Sequence, residues 1–130
     1  MKSVVICGSN KFAKEARAFG KALEKLGVEV FMPHFYRASG GKWDELKDFD
    51  KPFVALGLTH DHFYKIRLAD AVFIYNKDGY SGNSTTLEIG YAVACDKPIY
   101  AFSEKDEEIC RSVLFRGVVT TPKDLVRLLK

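Results

Sequence analysis

Apolar and polar positions along the chain fall into two alternating patterns. Val4-Val5-Ile6-Cys7 is a continuous apolar run that stops at Gly8-Ser9-Asn10, as a strand buried on both faces does when it meets a turn. Phe12, Ala16, Phe19, Leu23 and Leu26 then recur at helical spacing, one apolar stripe on a helix closed by Gly27. Residues 28–32 return as a strand and stop at Pro33. This opening β-α-β unit places both strands in one sheet through a right-handed crossover.

Residues 34–51 are polar and glycine-containing, with one Trp43. The segment is longer than an ordinary connection, and loops of that length serve as lids or subunit contacts. Residues 53–68 predict a helix that carries Gly57, and residues 71–75 a third strand. A helix over about 84–94 follows, with Leu87, Tyr91 and Ala94 on one face, then a fourth strand over 98–102. Ser103-Glu104-Lys105-Asp106 is expected to open another helix, and residues 114–119 to supply a short fifth strand. Thr121-Pro122-Lys123-Asp124 reads as a cap, a first-turn proline and an acid before the closing apolar stripe. The alternation predicts a single domain over residues 1–130. Its fold class is a three-layer α/β sandwich with a five-stranded parallel sheet in the flavodoxin/Rossmann-like order 2-1-3-4-5.

The candidate chemistry lies in residues 76–92. A strand end at Asn76 passes through Gly79, Ser81 and Gly82 into Asn83-Ser84-Thr85 and a helix that carries one acid, Glu88. Glycines admit a ligand close to the backbone, and hydroxyls and free N–H groups gather at the helix start. Taken alone, the stretch reads equally well as Asn83 or Ser84 capping a helix with a solvated Glu88. The expected topology adds a second loop, because ligands bind outside the carboxyl ends of the strands where the strand order reverses. Gly8, Ser9 and Asn10 reach that point together with residues 76–86. Neither loop carries the G-x-G-x-x-G of dinucleotide binders or the G-x-x-x-x-G-K-[ST] of P-loop enzymes.

Composition narrows the partners. Twenty basic and 17 acidic residues leave a net charge of +3, so binding of nucleic acid through bulk charge is not indicated. Cys7, Cys95 and Cys110 lack metal-ligand spacing, and no metal site is expected; three thiols suit a reducing cytoplasm better than a disulfide framework. The first strand is too short for a signal or membrane segment, so a cytoplasmic protein with no membrane partner is expected.

The order Cys7-Gly8-Ser9, then Ala69-Asp70-Ala71-Val72, then Glu88-Ile89-Gly90-Tyr91-Ala92 resembles the nucleoside 2-deoxyribosyltransferase family, including members that hydrolyse 2'-deoxynucleoside 5'-monophosphates. The resemblance spans nearly the whole chain. It implies that Glu88 is a nucleophile toward the anomeric carbon, a role suited to a carboxylate because the centre is oxocarbenium-like. Gly82, Asn83 and Ser84 are then expected to cradle the sugar or a 5'-phosphate, with Thr85 and Asn76 beside them and Gly8, Ser9 and Asn10 opposite. The resemblance further implies a small-molecule nucleoside or nucleotide as ligand, no cofactor, and a homo-oligomer, dimer or higher, with residues 53–64 as a contact. The chain departs from the family in two places. His62, next to Asp61, stands where an active-site aspartate is usual, and is assigned a proton-handling or orienting role. Gly82 stands where the transferases carry aspartate and the monophosphate hydrolases serine. Two other readings of the pocket are a nucleotide or nucleotide-sugar sensor without turnover and a phosphoribohydrolase acting on ribonucleotides. Asp70 is read as fixing a turn, and Cys7 as a structural residue of a buried strand.

Overall fold

The computed structural model describes residues 2–37 and 39–130. Strand β1 (Ser3–Cys7) leads through a 3-10 turn into helix α1 (Ala13–Lys25), and strand β2 (Glu29–Phe31) follows. Helix α2 (Lys51–Leu68), strand β3 (Ala71–Ile74), helix α3 (Asn83–Ala94) and strand β4 (Ile99–Ala101) continue the alternation. Helix α4 (Ile109–Ser112), strand β5 (Gly117–Val118) and helix α5 (Pro122–Leu129) complete it. All strand pairs are parallel, in the order β2-β1-β3-β4-β5. The strand order expected from sequence is the one found.

Strand β1 is interior, with Val5 level with Phe31 on one side and Val72 on the other. Its side chains alternate between the faces of the sheet. Val4 and Ile6 join Phe12, Phe19, Leu23, Leu125 and Leu129 in the core under α1 and α5, where Phe19 and Phe73 stack at 4.6 Å. Val5 and Cys7 face the opposite way and pack with Ile66, Ile89 and Ala92 of α2 and α3. The parity of the strand therefore directs Cys7 toward α2 and α3.

Three local expectations change. Helix α2 begins earlier than expected, at Lys51 with Pro52 in its first turn, where a proline lacks only an N–H that the helix leaves unpaired. Helix α3 buries Thr85, Ile89 and Ala92, whereas Leu87 is 62% exposed; the buried stripe runs on the other side of the helix from the one marked by Leu87. Ser103 to Asp106 do not open a helix. The Ser103 N–H donates to Oδ1 of Asn76 at 2.8 Å, the Asn76 amide donates back to the Ser103 carbonyl at 3.0 Å, and it reaches Asp106 Oδ2 at 3.1 Å. These bonds hold the segment irregular until α4. Gly79 sits under it with φ +77°, and a Cβ there would lie 1.8 Å from the Lys105 carbonyl oxygen, so only glycine fits.

Asp70 fixes the entry to β3. Its carboxylate accepts from the N–H of Ser3 at 2.9 Å, which with the Ser3 hydroxyl holds its pKa below the ordinary value.

Candidate active site

Helix α2 presents Ala55, Leu58, Thr59 and His62 at helical spacing, and α3 presents Ser84 and Glu88 one turn apart. The two rows form one wall of a cleft of about 390 Å³ at the carboxyl ends of the strands. Gly8 and Asn10 contribute from the turn after β1. Pro33, His34, Phe35, Tyr36, Arg37 and Trp43 close the other side, with the Tyr36 and Trp43 rings edge to face at 6.3 Å.

At the cleft's inner end three side chains from β1, α2 and α3 converge. Cys7 Sγ lies 3.2 Å from His62 Nε2, which in turn lies 3.7 Å from Glu88 Oε2. Cys7 and His62 are buried, and the Glu88 side chain is only 14% exposed. Burial pushes the Glu88 carboxyl up to about 8, against a smaller opposing effect of its hydrogen bond with Cys7. Burial, assisted by the charge of Lys65, lowers His62 to about 4. The imidazole is therefore neutral at pH 7, and its approach to Glu88 is no ion pair. Burial and the nearby Glu88 carboxylate raise Cys7 well above an ordinary thiol. His62 Nδ1 finds no partner among the described residues, so the ring's polar contacts are all made through Nε2.

Of the residues expected from sequence, Gly8, Asn10, His62, Ser84 and Glu88 come together in the cleft. Ser9 instead accepts from the N–H of Lys11 at 3.2 Å and caps the 3-10 turn. Gly82 is the N-cap of α3, Asn83 is exposed at its first position, and Thr85 is buried beneath it. The Asn76 side chain is fully buried and committed to Ser103 and Asp106. Asp61, the acid adjacent to His62, is exposed and paired with Lys65 at 2.7 Å.

Two groups at the site, one behind the cleft and one lining it, lie outside the sequence-expected set. Cys7 touches both functional side chains, and only the parity of β1 signals it. The aromatic wall belongs to the long segment after Pro33, whose length marks a special loop without saying which residues turn inward.

No family model and no curated protein matches the sequence. Solved structures match it along nearly their whole length. A 2-deoxyribosyltransferase from Bacillus psychrosaccharolyticus superposes with a TM-score of 0.63 at 19% identity, over 95% of this chain and 89% of that one. A conserved protein from Enterococcus faecalis gives 0.64 at 14% identity over 98% and 96%. A CMP N-glycosidase from Clostridium botulinum gives 0.53 at 18% identity over 98% of each chain. Among the described residues no helix is long and apolar enough to cross a membrane. The chain thus has the three-layer α/β fold of a 2-deoxyribosyltransferase and a CMP N-glycosidase.

Proposed function

We propose that the cleft cleaves or transfers the N-glycosidic bond of a 2'-deoxynucleoside or its 5'-monophosphate, with Glu88 as nucleophile. The observation that carries this reading is a lone carboxyl, largely withdrawn from water, that opens into a cleft beside a neutral imidazole. A carboxylate stripped of hydration is a strong nucleophile once ionised. At pH 7, about one unit below its pKa, roughly one Glu88 in ten is ionised. In that form Glu88 attacks C1' and forms an ester bond as the C1'–N bond breaks. The base leaves with the bonding pair and takes a proton from solvent in the cleft. Water or a second base then attacks C1' and gives up a proton to solvent, and the carboxylate departs unchanged. His62 Nε2, 3.7 Å away in the free protein, closes on the carboxylate to orient it once Glu88 ionises.

The rest of the cleft suits such a substrate. The aromatic wall of Tyr36 and Trp43 offers faces for a base. Gly82 puts no acid at the start of α3, a Cβ there would meet open space, and Ser84 faces the cleft. That unobstructed helix start favours a 5'-phosphate. Phe49, Phe53, Leu56 and Tyr64 are exposed on and just before α2, whose other side lines the cleft. This apolar surface suits a second copy of the chain, which light scattering would detect as a dimer or larger species.

Incubation with a panel of deoxynucleosides, deoxynucleotides and ribonucleotides, with chromatography of released base, tests the reading. Base release from a deoxy substrate that disappears in Glu88→Ala supports it. Turnover restricted to ribonucleotides would identify a phosphoribohydrolase, and tight binding with the ligand recovered intact would identify a sensor.

A further inference from the structure

The Cys7, His62 and Glu88 cluster carries more than the glycosidase reading uses. A thiol, an imidazole nitrogen and a carboxylate oxygen converge with their ligand atoms all within 4.8 Å of one another. Four-coordinate zinc lies about 2.3 Å from sulfur and about 2.0–2.2 Å from nitrogen or oxygen, which spaces neighbouring ligand atoms about 3.4–3.6 Å apart. The observed 3.2 Å from Cys7 Sγ to His62 Nε2 and 3.7 Å from His62 Nε2 to Glu88 Oε2 bracket that spacing.

We propose that Cys7, His62 and Glu88 form a binding site for a borderline-soft divalent cation of the zinc type, whose occupancy blocks the cleft. Three observations support it. Ligand type comes first: thiolate, imidazole and carboxylate together select zinc over magnesium or calcium, which take all-oxygen sets. Charge is the second: a thiolate and a carboxylate neutralise a dication, which lets the complex sit in a site this buried. Access is the third. His62 and Glu88 both line the cleft, so a cation enters there, and the fourth coordination position is left to water. Binding releases the proton of the Cys7 thiol, and that of Glu88 where it is still held.

Filling the site removes the Glu88 lone pair that attacks C1', so zinc is an inhibitor. That consequence rests on the proposed glycosidase reading, whereas the metal site does not. Metal-free full-length protein carrying Cys95→Ser and Cys110→Ser, titrated with cobalt(II), provides the test. One equivalent is expected to give a thiolate-to-cobalt charge-transfer band and the intense visible bands of four-coordinate cobalt, and one equivalent of zinc to erase both. Cys7→Ser is expected to lose the charge-transfer band. Glu88→Gln, which keeps the shape of the side chain, is expected to weaken zinc binding by about tenfold or more in calorimetry. Circular dichroism establishes that both variants are folded. Absence of the charge-transfer band from the parent protein, or its persistence in Cys7→Ser, would overturn the proposal. Where base release is measurable, zinc should abolish it and a chelator restore it. Base release that continues while the cobalt bands show the site filled supports the metal site and counts against Glu88 as nucleophile.

Discussion

His62 Nε2 stands 3.7 Å from Oε2 of Glu88 although the two side chains come from different helices. One turn of α2 and one turn of α3 pack so that both groups point to the end of β1, where Cys7 completes the contact. Burial moves the two groups in opposite directions and makes both neutral in the free protein near pH 7.

Removing the carboxylate tests the proposed chemistry most directly. Glu88→Gln and Glu88→Ala are expected to lower the rate of base release by about 10³-fold or more, because the covalent route is lost. Calorimetry with the intact nucleotide should show binding within a few-fold of the parent for Glu88→Gln. Retention of full turnover by either variant would sink the nucleophile assignment.

The pH profile follows from the ionisation of Glu88. Its carboxyl titrates at about 8 in the free protein, and the attacking form is the carboxylate. In the presence of a chelator, kcat/KM is expected to rise about tenfold per pH unit below 8 and to level off above it. Steady-state rates between pH 5 and 9 give the curve, and a profile that falls over this range would contradict the scheme.

The same residue has a cost in stability. Glu88 titrates at about 8 when folded and near the ordinary 4.5 when unfolded, so the folded chain binds more protons between those values and loses stability as pH rises through them. Glutamine has no such dependence. Glu88→Gln is therefore expected to melt higher than the parent at pH 8, on the order of 5 °C or more, with the gap closing toward pH 4. Buried His62 is common to both proteins and cancels from the comparison. Equal melting temperatures at pH 8 would show that the carboxyl is not held in its neutral form.

The aromatic wall predicts where binding energy resides. Stacking on a base contributes about 1–3 kcal/mol per base. Trp43→Ala is expected to raise KM by about tenfold and to change kcat less. A KM equal to the parent's would place the base elsewhere in the cleft.

Asn76 predicts a loss of stability. Its amide joins the end of β3 to Ser103 and Asp106, and Asn76→Ala would take the side-chain partner from the Ser103 N–H and carbonyl while Asp106 keeps Arg111. A cost of about 2–3 kcal/mol in urea unfolding is expected. A variant as stable as the parent but unable to bind nucleotide would instead make Asn76 a ligand contact.

The sequence by itself determined the layers and the order of the sheet, because each element carries its own signal. Apolar runs of four to six residues are strands, and apolar positions at helical spacing are helices, wherever they later pack. His62 stood out only through the family resemblance, whereas Glu88 and the two turns at the carboxyl ends of β1 and β3 were marked by the chain itself. Those features are local or follow from handedness. It did not reveal that Ser103 to Asp106 stay irregular, since the cause is Asn76, far back in the chain. Nor did it show which side of the long segment lines the cleft. The metal-type cluster was likewise invisible, because Cys7, His62 and Glu88 have no ligand spacing along the chain. Only the packing of α2 and α3 against one face of β1 brought them together, and only burial there turned an ordinary acid and an ordinary histidine into groups displaced from their usual ionisation.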